Sequence, residues 1–103
     1  ILDVPAMRVA GDPDRRVERI AVLPGSGGDF LDQARVLGAD AVVTGDVSHH
    51  KARTCVDAGM AVIDAGHVPT ERPGLRALLA RLGERVGECQ SLLHLDPDPW
   101  IPR

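Results

Sequence analysis

His67 and Glu71 stand four residues apart, a spacing that on a helix stacks an imidazole and a carboxylate on one face. Both side chains are ordinary ligands for Zn, Mn or Fe. Pro69 suits the start of a helix. Pro73 removes a hydrogen bond from the next turn and leaves the register at Glu71 open. Two ligands do not complete a zinc site, which needs three or four. The plain alternative is a surface His beside a helix-start Glu. A second group, Asp46, His49 and His50, has the chemistry to ligate, relay protons or bond a substrate. Neighbouring His residues point in different directions, so one of the two faces any pocket. Here the plain alternative is that Asp46 caps the following helix and both His residues are solvated.

A third group is the glycine-rich run Pro24-Gly25-Ser26-Gly27-Gly28-Asp29, which opens a helix as anion-binding loops do. It lacks the Lys-Ser/Thr of a P-loop. Gly25-Ser26-Gly27 matches half of the dinucleotide fingerprint, but Phe30 occupies the third glycine's place. Asp46 lies about where the ribose-binding acid is expected. A tight strand-to-helix turn is the simpler account of the same residues.

Strands must present these groups. Residues 17–23 are β-branched and apolar and are stopped by Pro24-Gly25, which predicts a strand. Phe30, Leu31, Ala34 and Leu37 recur at helical spacing before Gly38. Residues 41–44 and 60–63 predict two further strands, separated by a short helix through Ala52, Cys55 and Val56 that closes at Gly59. Met7 to Ala10 reads as an opening strand. Leu75, Leu78, Leu79, Leu82 and Val86 form one apolar helical stripe. At roughly 1.5–3 kcal/mol per buried Leu, that stripe is expected to pack on the sheet. A last strand is predicted over residues 90–95, before a Pro-rich tail over 96–103. The order β-β-α-β-α-β-α-β predicts an α/β domain with a mostly parallel sheet flanked by helices. Ligands of such sheets gather beyond the carboxyl ends of the strands, where all three groups lie.

Composition excludes several functions. The 103 residues are 44% hydrophobic with one Trp, one Phe and no Tyr, so the core is aliphatic. A net charge of -3 and a pI near 5.7 supply no cationic field for a nucleic-acid polymer. No apolar run approaches the roughly 18 residues of a membrane span. Cys55 and Cys89 lack CxxC spacing and read as reduced thiols in a cytoplasmic protein. The chain opens Ile1-Leu2-Asp3-Val4-Pro5 without Met, as a piece of a longer protein would.

Taken in order, Val22-Leu23-Pro24-Gly25-Ser26-Gly27-Gly28, then Val43-Thr44-Gly45-Asp46 with His50, then Val62-Ile63-Asp64-Ala65-Gly66-His67 with Thr70-Glu71, resemble the second half of the Nif-three-like dinuclear-metal proteins. These are also called GTP cyclohydrolase I type 2 homologues. Met7-Arg8-Val9, Asp96-Pro97 and Trp100 fit as well, so the resemblance spans essentially the whole chain. It implies one half of a two-half α/β protein that binds two Zn, Mn or Fe ions and assembles as a toroidal homo-oligomeric hexamer with the metal pairs facing an internal cavity. His67 and Glu71 would be this half's metal ligands, with Asp46 and His50 beside the site as catalytic candidates. The other ligands would come from an N-terminal half. Val68-Pro69 replace the Tyr-Ala of many relatives, which removes an aromatic contact there. Three functions follow as expectations: a metal-dependent, GTP cyclohydrolase-like hydrolase, a nucleotide-binding module using the Gly25–Gly28 loop, or a non-catalytic assembly domain.

Overall fold

A computed structural model of the chain describes residues 2, 4, 6–95 and 97–99. The apolar runs form four strands, β1 (Arg8–Ala10), β2 (Ile20–Ser26), β3 (Ala41–Gly45) and β4 (Ala61–Asp64). Three helices follow strands: α1 (Leu31–Val36), entered through a 3-10 turn at Gly27–Phe30, then α2 (His49–Asp57) and α3 (His67–Gly83). The strands make one sheet in the order β1-β4-β3-β2. β2, β3 and β4 run parallel and β1 lies antiparallel at the edge. The mostly parallel sheet flanked by helices is therefore as the pattern predicts. Three parallel strands put their carboxyl ends on one rim of the sheet.

The core lies between that sheet and α1 and α2. Val42, Met60 and Val62 are buried against Leu31, Ala34, Val47 and Cys55. Residues one step out of phase point to the opposite face. There the pairing aligns Val9, Ile63, Val43 and Val22 in one row across all four strands. Its two outer members, Val9 and Val22, are 53% and 65% exposed.

Several boundaries differ from expectation, each for a physical reason. β2 starts at Ile20 and runs past Pro24 to Ser26. Proline is tolerated there because β2 is an edge strand, and its register shifts between Val22 and Ser26. The predicted strand over residues 90–95 is absent: those residues adopt no regular structure. A strand exists only by pairing, and this segment meets no sheet edge, with Leu92 92% exposed.

Helix α3 begins at His67 and ends at Gly83, so Val86 lies beyond it. Its apolar stripe is not buried as expected: Leu75, Leu78 and Leu82 are all exposed. The helix packs on β2 and β3, with Pro69 and Thr70 buried in its first turns. Asp96, Trp100 and residues 101–103, in the predicted tail, lie outside the described residues.

Candidate active site at the strand tips

Helix α3 runs through Pro73 without a break, giving up one backbone hydrogen bond. His67 and Glu71 consequently occupy one face, with His67 Nε2 3.3 Å from Glu71 Oε1. On the other side of the ring, Nδ1 donates to Asp46 Oδ2 at 2.7 Å. Asp46 does not cap α2. Ser48 takes that place, its hydroxyl accepting from the Lys51 N–H. Instead Asp46 adopts a left-handed backbone, φ 56°, the sole non-glycine residue to do so among the described residues. Such a conformation is uncommon outside glycine and is more accessible to Asp than to most side chains. The carboxylate it presents holds the imidazole from behind. This hydrogen bond lifts the His67 pKa above the usual imidazole range; burial opposes the rise, and the Glu71 and Asp46 charges add to it.

The third strand tip closes the site from above. Gly25, at the end of β2, has φ +68°. A Cβ placed on it would lie 2.6 Å from Glu71 Oε1 and 3.2 Å from His67 Nε2. The bare glycine therefore leaves a cradle between the two donors that any side chain would fill. The Gly25 N–H donates to Thr70 Oγ1 at 2.9 Å. The Gly27 N–H donates to Thr44 Oγ1 at 2.9 Å, and that hydroxyl donates to the Gly25 carbonyl at 3.3 Å. Two of the loop's amides are thus spent on threonine hydroxyls and unavailable to an anion. Gly27 is required by crowding, since a Cβ there would lie 2.4 Å from Thr44 Oγ1 and 2.5 Å from Leu23 Cβ. The geometry is that of a tight strand-to-turn junction.

Asp64 stands in the Asp64-Ala65-Gly66-His67 run but has no role assigned by the sequence alone. Its buried carboxylate accepts from the Val47 N–H at 3.0 Å and the Gly66 N–H at 3.1 Å, and pairs with the Arg8 guanidinium. It thereby ties the β3 loop to the β4 loop beneath His67. The Asp64-Ala65-Gly66 turn, with an Asp bonding an amide two residues on, was its one legible signal. Burial works against its charge, but the two amides and Arg8 prevail and hold the carboxyl below its ordinary range. Such a group contributes stability above its unfolded pKa of about 3.9 and loses it as pH falls through the lower folded value. Asp64→Asn is expected to cost roughly 1.5–3 kcal/mol at pH 7. The gap to the unsubstituted protein should close as acid protonates Asp64; chemical denaturation at pH 7 and at progressively lower pH checks it.

His50 sits in the first turn of α2, exposed, its ring edge-on to His49 at 5.7 Å. Among the described residues no hydrogen bond or ion pair links it to Asp46, His67 or Glu71. The three strand tips do converge, and they bring together Asp46, His67, Glu71 and Gly25.

Does a divalent cation fit this donor set? Two ligands of a tetrahedral ion with bonds of about 2.0–2.2 Å lie roughly 3.3–3.6 Å apart. His67 Nε2 and Glu71 Oε1, at 3.3 Å, meet that spacing. The carboxylate on the remote ring nitrogen is the usual support of a metal-bound His. Yet among the described residues no group of three or more His, Cys, Asp or Glu is placed to hold an ion. The described residues fit as two donors and a support, and a complete site would need further donors beyond them. No helix among the described residues is long and apolar enough to cross a membrane.

Comparison with known proteins identifies the family and matches the fold. The family model Duf34/NIF3 (NGG1p interacting factor 3) matches residues 1–97. A GTP cyclohydrolase 1 type 2 homolog of Clostridium acetobutylicum is 39% identical over 101 residues, covering 91% of this chain and 38% of that protein. Among solved structures, a Bacillus cereus protein related to NIF3 is 32% identical with a TM-score of 0.72, over 97% of this chain and 29% of the other. A Staphylococcus aureus protein gives 33% identity and a TM-score of 0.73, over 97% and 34%. This chain therefore spans well under half the length of the relatives it matches.

Proposed function

Because the chain belongs to the Duf34/NIF3 family, we propose that it supplies one half of a divalent-metal site in a metal-dependent hydrolase. His67 and Glu71 are the ligands, and Asp46 holds the His67 ring with Nε2 turned toward Glu71. The observation that carries this reading is the 3.3 Å approach of His67 Nε2 to Glu71 Oε1 across a glycine. When bound, the metal pair expected of the complete site would lower the pKa of a water and polarise the bond under attack. His50, exposed at the start of α2, is the proton relay we assign, reaching substrate rather than the ligands. The curated relatives' name points to a substrate of the GTP class.

The further donors come, in our reading, from the rest of a family-length protein, assembled as a hexamer. The half-open row Val9, Ile63, Val43 and Val22 and the exposed Leu75 and Leu78 are apolar surface fit for such a neighbour. Assembly is thus a companion of the metal reading. The nucleotide-module reading loses support, because the Gly25 and Gly27 amides already have partners. Free Cys55 and Cys89 suit the cytoplasmic location we assign.

Calorimetric titration with Zn²⁺ or Mn²⁺ tests the assignment. Two donors should bind weakly, and His67→Ala and Glu71→Ala should each abolish measurable binding. Affinity should also climb with pH, since His67 must surrender the proton that Asp46 and Glu71 favour. Unchanged metal uptake by His67→Ala removes the reading.

A further inference from the structure

Gly25 is held at both ends of its backbone by buried hydroxyls that take no direct part in the donor set. Thr70, 7% exposed, accepts its N–H. Thr70 Oγ1 lies 2.9 Å from the Gly66 carbonyl and 2.8 Å from the His67 carbonyl, where it donates. With its proton committed to the helix start, its lone pairs face the β2 tip. Thr44, fully buried, takes the other end: it donates to the Gly25 carbonyl and accepts from the Gly27 N–H. The two threonines come from different elements, β3 and α3, and meet on one residue of a third, β2.

We propose that Thr44 and Thr70 are positioning residues, a clamp that holds Gly25 in its left-handed turn and so sets the gap between His67 Nε2 and Glu71 Oε1 in which a divalent cation sits. The inference rests on the metal reading for the identity of the ligand, not for the clamp itself. The reason is steric. Gly25 faces both donors so closely that a turn of its peptide either crowds Glu71 or opens the cradle. A glycine is the residue least able to hold such a conformation unaided. Hydroxyls on both its N–H and its carbonyl supply the restraint that its own side chain cannot.

The test uses the 103-residue chain, Co²⁺ as visible-absorption probe, and the Gly25 amide as a metal-free readout by hydrogen exchange. Thr70→Val removes the hydroxyl at nearly constant volume, and Thr70→Ser keeps it. Thr70→Val is expected to weaken Co²⁺ binding by about tenfold or more and alter its absorption bands. Exchange of the Gly25 amide should accelerate by at least as much. Thr70→Ser should restore both to within about twofold of the unsubstituted chain. Thr44→Val should weaken Co²⁺ binding likewise, from the carbonyl side. A purely structural threonine would lower the melting temperature and leave Co²⁺ affinity and its spectrum alone, which would overturn the proposal. So would a Gly25 amide in Thr70→Val as protected as before, or the failure of both valine variants to fold. If the unsubstituted chain takes up no Co²⁺, the metal reading falls, and the Gly25 amide alone decides the clamp.

Discussion

Gly25→Ala is expected to abolish cation binding at His67 and Glu71, by at least roughly a hundredfold, while leaving the protein folded. The methyl would sit 2.6 Å from Glu71 Oε1 and 3.2 Å from His67 Nε2, inside contact distance of both donors. Asp46 holds the His67 ring, but Glu71, the nearer neighbour, is not fixed. Its side chain is 47% exposed and can swing toward solvent. The clash is therefore relieved by turning the carboxylate away, at little cost to the fold. A left-handed alanine adds about 1–2 kcal/mol of backbone strain. The expected signature is a modest loss in urea denaturation beside a complete loss in metal titration. Retained binding in a folded Gly25→Ala would mean that the donors do not face this glycine, and the cradle would be no site.

Why that glycine matters was hidden in the chain. His67 and Glu71 were legible because a spacing of four is itself a helical statement. What Pro73 left open was settled only by the helix running through it. Gly25 stood in plain view as part of a loop suited to anions. Its partners are 45 residues away at Thr70 and 19 at Thr44, and no local pattern announces such pairs. Asp64 is similar: it meets Val47 17 residues back and Arg8 56 back. For Asp46 the sequence leaves a helix cap and a site contact both open, because its left-handed φ, which turns it from the helix to the imidazole, does not appear in its residue type.

The fold shows the same division. Periodicity located β2, β3, β4 and the three helices, since those signals reside in neighbouring residues. It also placed a strand at 90–95, where apolar composition is present and a pairing edge is not. The stripe on α3 was correctly helical, yet Leu75, Leu78 and Leu82 are exposed. Periodicity tells which face of a helix is apolar. What covers that face belongs to the tertiary or quaternary structure, and this chain matches only 38% of the Clostridium relative.

Gly45→Ala should do the opposite of Gly25→Ala, striking the fold first. A Cβ at Gly45 would fall 2.4 Å from the Gly66 carbonyl carbon, 2.5 Å from the His67 nitrogen and 2.7 Å from the Gly66 oxygen. All three are main-chain atoms, so nothing can rotate aside. The end of β3 and the entry to α3 would have to separate, carrying His67 away from Asp46. Overpacking of this kind costs about 3 kcal/mol at the upper end of the ordinary range. For a domain of this size that is a fall of roughly 12–24 °C in Tm. Gly74→Ala is the internal control: nothing lies within 4 Å of its Cβ position, and it stands inside α3. There alanine should stabilise by up to about 1 kcal/mol through helix propensity. Thermal unfolding of the pair reads opposite signs from the same chemical change. A Gly45→Ala protein as stable as its parent would mean the β3 tip and the start of α3 are not in contact. Asp46 would then have no means of holding His67, and the convergence of strand tips on which the site depends would be lost with it.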